Sequence, residues 1–359
     1  MSLKKNIINK ILLFTVFSSL SSGEGIWVKY GWEIFEHVTD ARSAAIGNAN
    51  TGYDFYSISA SLTNPAFSSK RLEDVNITHQ SRFAGSVNSD MIGFQLRTNS
   101  NFMNLNLLYE GVSQIPDTRY MLLDWGLDGQ FGTNDLGEGN GVLDEGERLN
   151  KDQLRYFNQH QIGIYGAFIS NLMGRPIGIG YKILSHHLGE YAALGIGIDI
   201  GYVKNFQKLT FGMVLRNFPA SGLIWDNGNI EGTMPSFTLG IHKAYDLKIK
   251  NSTIVLNPMF DISGSLSNAN LDSQIRSGKF SIDSAFGIEC VYNDKAMIRG
   301  GRNSLNNLTG GLGFSWDGLG IDYAFLSPSD NIDLGIHHLI SLSLSVEFVK
   351  SKMLEITKM

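Results

Sequence analysis

Between Asp124 and Glu147 the chain carries seven acidic side chains and no basic one, spaced by glycines and asparagines. Asp124, Asp128, Asp135, Glu138, Asn140, Asp144 and Glu147 offer hard oxygen donors, and Ca²⁺ takes six to eight such ligands in a flexible geometry. The segment is therefore a candidate calcium site, and calcium is the one cofactor the sequence suggests. The order is not that of an EF-hand loop, whose D-x-[DN]-x-[DN]-G core is missing. A solvated loop in which glycines simply turn the chain accounts for the same composition.

Other chemistry-bearing residues give less. His186-His187 and His337-His338 invite a metal, but neighbours on a strand point to opposite faces and cannot readily share one ion. Gly310-Gly311-Leu312-Gly313 lacks the Lys-Ser/Thr and the following helix of a phosphate loop. No spacing of Ser, Asp and His selects a catalytic triad, and no enzymatic activity is expected. Cys290 is the single cysteine, so no internal disulfide can hold the chain together.

The elements that would position these residues are strands. Forty glycines and 13 tyrosines accompany only seven prolines, and segments of about ten residues alternate apolar with small or polar side chains. Ile340, Leu342, Leu344, Val346 and Phe348 alternate with Ser341, Ser343, Ser345 and Glu347. Leu194, Ile196, Ile198, Ile200 and Tyr202 alternate with Ala193, Gly195, Gly197, Asp199 and Gly201. The pattern predicts fourteen strands, over 73–83, 90–98, 101–110, 154–169, 176–186, 190–204, 207–217, 236–246, 252–263, 280–292, 295–302, 306–315, 317–326 and 338–348. Longer links, at 111–153, 218–235, 264–279 and 327–337, fall on one side of the strand order, and shorter ones mostly on the other. An outer-membrane barrel sorts its loops in this way. The expected fold is all-β, a transmembrane antiparallel β-barrel of about 14 strands with a short N-terminal helical hatch or plug.

Lys4, Lys5 and Lys10, an apolar run of about ten residues and then Ser21-Ser22-Gly23 have the order of a secretory signal, too short to span a membrane. Its removal takes three lysines and no acid from a net charge of −5, leaving −8 over 336 residues. Nucleic acid is an unsuitable partner for such a surface. The expected organisation is a signal peptide over 1–23 and a periplasmic or hatch segment over 24–72. A barrel over 73–348 follows, with an acidic outer loop at 111–153, and then a tail over 349–359. The expected location is the outer membrane of a Gram-negative-type bacterium, in contact with its lipid.

Residues 41–68 are too rich in small residues and too irregular for a lipid-facing strand. They predict a short helix and an Asn-Pro turn inside or beneath the barrel, where irregular backbone can be satisfied by protein or water. Here Ala41-Arg42-Ser43, the glycine at 47 and Asn64-Pro65-Ala66 resemble the PorV/PorQ family of outer-membrane proteins, related to the FadL-type transporters. The ending Gly318-Leu-Gly-Ile-Asp-Tyr-Ala-Phe325, with a Ser-Leu strand after it, is similar to that family's. The resemblance implies a fourteen-stranded barrel with a hatch, whose gating or ligand-contacting positions would be Arg42, Asn64, Pro65 and Ala66. It also implies a shuttle role in type IX secretion, with secreted cargo bearing a C-terminal signal domain and other secretion components as partners. The FadL-type alternative is a transporter of fatty acids or other hydrophobic small molecules. Lumen faces made mostly of Gly, Ser, Ala, Asn and Gln favour the protein-partner reading over a continuous apolar pocket.

Overall fold

Alternation becomes a closed wall in the computed structural model, where each strand pairs antiparallel with the next and the last pairs with the first. Residues 31–97, 101–172, 174–266, 273–278, 280–328, 335–348 and 350 are described. The expected signal peptide over 1–23, residues 24–30 and almost all of the expected tail lie outside them. The first six strands are β1 Asp74–Arg82, β2 Val87–Arg97, β3 Phe102–Asp117, β4 Arg155–Leu172, β5 Arg175–Leu188 and β6 Tyr191–Phe206. Next come β7 Leu209–Arg216, β8 Ser236–Lys243, β9 Ser252–Leu266 and β10 Phe280–Tyr292. The wall ends with β11 Ala296–Arg302, β12 Leu308–Trp316, β13 Leu319–Leu326 and β14 His337–Ser345. Closure runs from Asp74 opposite Ser345 to Ser81 opposite His338.

Period-two alternation assigns the faces. On β6, Ala193, Gly195, Gly197, Asp199 and Gly201 are buried toward the lumen. Outward, Ile183, Ile196, Ile298 and Phe314 are 45 to 70% exposed, on strands spread around the circumference. An apolar belt of that extent is far larger than a soluble monomer shows. Closure also leaves no unpaired edge in the ring, as crossing a bilayer requires. No helix among the described residues is long and apolar enough to cross. The architecture is that of a bacterial outer-membrane barrel.

At one end the turns are tight. Asp317 and Gly318 between β12 and β13 both have positive φ, which is what a two-residue hairpin loop needs, and Asn293 and Asp294 have it in the three-residue turn between β10 and β11. The long connections gather at the other end, which is therefore the outer one. Strand ends differ from the alternation pattern by a few residues, and three differences bear on the ends of the barrel. Strand β3 runs on to Asp117 through a bulge between Val112 and Ile115, so the outer loop begins later than residue 111. The link after β7 contains a hairpin, Ser221–Trp225 with Ile230–Thr233, whose first strand pairs with β6 above the end of β7. Strand β14 stops at Ser345, three residues before the alternation does.

Candidate functional site: the hatch inside the barrel

Residues 31–69 thread the lumen from its outer end downward. Gly31 lies beside Leu223 and Glu231 of the outer hairpin. Helix α1, Ile34–His37, buries Ile34 and Phe35 and leaves Glu36 exposed. With Trp32 and Val38 it packs on Met91, Leu108, Tyr165, Leu184 and Leu223 of the wall. Helix α2, Ala41–Ala45, begins where the Asp40 carboxylate accepts the Ser43 amide at 2.6 Å, a side-chain cap satisfying an otherwise free donor. Its alanines let it lie close against β12–β14. The Ala41 amide donates to Ser341 Oγ at 2.8 Å, and Thr309 Oγ1 donates to the Ala45 carbonyl at 2.9 Å.

The wall makes room by omitting side chains. A Cβ on Gly178 would lie 2.1 Å from the Ala66 nitrogen, and one on Gly212 would lie 1.9 Å from the Thr51 carbonyl oxygen. These distances are shorter than contact allows, so the hatch main chain rests directly on strand main chain. Glycine in these strands is thus explained by close backbone approach.

Of the expected gating residues, Arg42 is the electrostatic centre. Its Nε and Nη2 meet the two Glu289 oxygens at 2.8 and 2.9 Å, while Nη1 donates to the Phe55 carbonyl at 3.3 Å. Glu289 also accepts from Arg299 Nε at 2.7 Å and from the Tyr53 hydroxyl. Arg299 then reaches Asp322 at 2.5 Å. Two cations thus face two carboxylates, so this wholly or largely buried cluster is neutral, the condition under which interior charge is tolerated. Asn64, Pro65 and Ala66 form the lower anchor, near the tight-turn end. Asn64 Oδ1 accepts the Ala66 amide at 3.0 Å, and its Nδ2 donates to the Thr51 carbonyl at 2.9 Å. Pro65 opens the following 3₁₀ turn, where its missing N–H costs nothing. Arg42 holds the hatch to β10, and the Asn-Pro-Ala turn holds it to β5 and β6.

A second cluster was invisible to motif reading. Lys182 Nζ lies 2.7 Å from Asp199 and 2.5 Å from Asn217 Oδ1. Arg216 donates to the Leu62 and Thr63 carbonyls at 3.1 and 3.0 Å, and sits 3.8 Å from Asp199. Glu289, Arg299, Asp322, Lys182 and Asp199 all stand in the lumen phase of their strands. A charge in the small-residue phase of a barrel strand is the signal that finds them.

The candidate calcium residues lie at the outer end, in a loop closed by a two-stranded ribbon of Leu122–Leu123 with Arg148–Leu149. Their oxygens receive main-chain amides. Asp124 accepts from Gly139 and Gly141, both at 2.7 Å, Asp135 from Asp128 at 2.8 Å, and Glu147 from Gly126 and Asp144 at 3.0 and 2.9 Å. Asp128 caps Gln130, Glu138 accepts from Asn134, and Asn140 donates to Asp144. The amide of Gly141, with those of Gly139 and Asn140, holds the Asp124 carboxyl below its ordinary pKa. Among the described residues no three His, Cys, Asp or Glu side chains gather as a metal site would. His186 faces the lumen and is buried, whereas His187 faces outward, so that pair does not converge.

No protein-family model matches the chain, and no curated protein matches its sequence. No family follows. Among solved structures it is similar to the toluene transporter TodX of Pseudomonas putida, at 12% identity over 85% of this chain and 96% of that one, with a TM-score of 0.45. It is also similar to the outer-membrane protein Omp33 of Acinetobacter baumannii, at 8% identity over 76% and 96%, with a TM-score of 0.34.

Proposed function

We propose that this protein is a hatch-gated outer-membrane channel for small apolar or amphipathic compounds. The observation that carries the reading is the seating of residues 31–69. They cross the lumen and are fixed to its wall by a few polar anchors, while Trp32, Phe35 and Leu223 form a buried aromatic and aliphatic layer beneath the outer hairpin. Such a layer would line the path of an apolar solute. Polar anchors beneath it would hold the passage shut until the hatch shifts. Flux into proteoliposomes tests this. Uptake of a small aromatic hydrocarbon should exceed that of protein-free vesicles and rise in Arg42→Ala, which removes the anchor on Glu289. Equal flux in all three preparations would remove the reading.

A second reading, a protein-binding role of the kind the PorV/PorQ resemblance implies, is favoured by one observation. Phe131 and Leu136 in the outer loop are both 80% exposed, beyond the wall and away from any lipid-facing strand. Large apolar side chains on a protruding loop suit a protein partner. Capture of secreted proteins sharing a C-terminal domain from detergent-solubilised outer membrane, and its loss in Phe131→Ser, would support it. Capture unchanged by that substitution would count against it.

A further inference from the structure

One sector of the outer lumen, on β4, β5, β6 and the hairpin, concentrates buried polar atoms that have nothing to bond. Register places Gln161 opposite His186, His186 opposite Ala193, and Ala193 opposite Trp225. These four therefore form one lateral row on the lumen face, where the small Ala193 lets the large rings on either side of it approach each other. His186 and Trp225 have ring centroids 5.1 Å apart. Trp32 of the hatch lies one row below, its ring against Gly195 and Leu223. Among the described residues, Gln161 Oε1, His186 Nδ1, Trp32 Nε1 and Trp225 Nε1 are buried without a hydrogen-bond partner. Gln161 is 6%, His186 7% and Trp32 3% exposed, so bulk water does not serve them. Trp225 is only partly buried and gives the row an open side.

Four orphans in one patch are unusual, because buried polar side-chain atoms are almost always paired. Their chemistry is also one-sided. The Gln161 amide contacts His186 Nε2 at 3.4 Å. With the amide donating there, the imidazole proton sits on Nδ1. Two indole N–H groups and one imidazole N–H then stand unpaired in this sector, against a single unpaired acceptor, Gln161 Oε1. No charge is added by the next position of the row, Glu110, which is taken up by Arg82 and by Ser89 Oγ at 3.0 Å.

We propose that this row is a binding site for a neutral amphiphile whose flat apolar body lies on Trp225 and whose oxygen acceptor, of the ketone, ester or ether kind, takes the unpaired N–H groups. An anion is disfavoured by the absence of a free cation in the row. A pure hydrocarbon would leave the donors unpaired. The inference rests on the channel reading and deepens it by naming a solute class.

Three probes with one eight-carbon skeleton test it on the purified full-length chain in detergent: ethylbenzene, acetophenone and phenylacetate, by equilibrium dialysis. One or more hydrogen bonds should make acetophenone bind roughly tenfold tighter than ethylbenzene. Trp225→Phe keeps the ring and removes the N–H. It should weaken acetophenone by about 2- to 10-fold and leave ethylbenzene unchanged. His186→Leu should act alike, and His186→Asn, which retains a donor, should recover part of the loss. Unboiled gel mobility reports whether each variant keeps its closed barrel. Equal affinity for ethylbenzene and acetophenone, tightest binding of phenylacetate, no binding of any probe, or an unaffected Trp225→Phe would each overturn the proposal. Proteoliposome flux reads the channel function separately: binding of acetophenone without flux would leave the site standing and remove the transport role.

Discussion

The hatch and the acidic outer loop are both irregular and are ordered in opposite ways. The loop is rich in glycine and acidic residues and the hatch in alanine and serine, and each leaves main-chain amides that need acceptors. In the loop the acceptors are the segment's own carboxylates, as where Asp124 takes the Gly139 and Gly141 amides. In the hatch some are supplied by the wall: Ser341 takes the Ala41 amide and Asp261 takes the Thr51 amide at 3.0 Å. A loop that caps itself depends on its own charge state. A hatch that borrows its partners depends on the barrel being closed and correctly in register.

The contrast can be broken most severely at Glu289. Glu289→Gln leaves Arg42 and Arg299 buried without their shared carboxylate, and removing one member of a buried ion pair costs about 3–5 kcal/mol. Urea titration with limited proteolysis of residues 41–68 should show the hatch released while the outer loop is cut at its wild-type rate. Simultaneous release of both would mean that the two regions are not independent. Next in size is Gly178→Ala, which pushes a methyl into the Ala66 nitrogen. Overpacking of this kind costs about 1–3 kcal/mol and should raise ion conductance in planar bilayers, with loop cleavage again unchanged.

Smaller effects are expected from the loop side. The Asp124 carboxyl titrates lower in the folded loop than in an open chain. Its contribution is therefore present above the ordinary carboxylate range and is lost as pH falls through the folded value. Protease sensitivity of 124–147 should accordingly rise on acidification, and Asp124→Asn should flatten that rise while leaving the hatch protected throughout. The smallest expected change comes with calcium. If the carboxylates that cap the loop also ligate Ca²⁺, chelation should increase cleavage within the loop and nowhere else. Cleavage unaffected by chelator would remove calcium from the account.

How much of this was readable before folding follows from the range of each interaction. Strand β10 spans 280–292, the range its alternation predicts, because the signal is local and repeats every two residues. The hairpin over 221–233 was hidden, since its first strand is held by β6, whose pairing partner cannot be known from the link itself. The bulge in β3 likewise interrupts the period where Gln114 takes a positive φ. Among site residues, Arg42 and Asn64-Pro65-Ala66 stood out by type. Glu289 and Asp199 did not, because each is one polar residue in an ordinary alternating strand, and it matters only through a hatch residue far away in sequence. The unpaired row of Gln161, His186 and Trp225 was equally hidden. Seeing it requires both the register and the knowledge of which atoms find no partner.

The pairing of Arg42 with Glu289 spans 247 positions, and that separation bears on how the molecule is assembled. The hatch leaves the secretion machinery first, yet its seat is made of strands that arrive later, the last of which, β14, also closes the ring. Arg42 must therefore remain hydrated, or be held by another protein, while fourteen strands insert. The contact of the hatch with β14 can form only once that strand is in place. A chain whose β14 fails to zip to β1 would present an open edge and an unseated cationic segment together, a pairing of defects that periplasmic quality control could read as a single mark of incompletion.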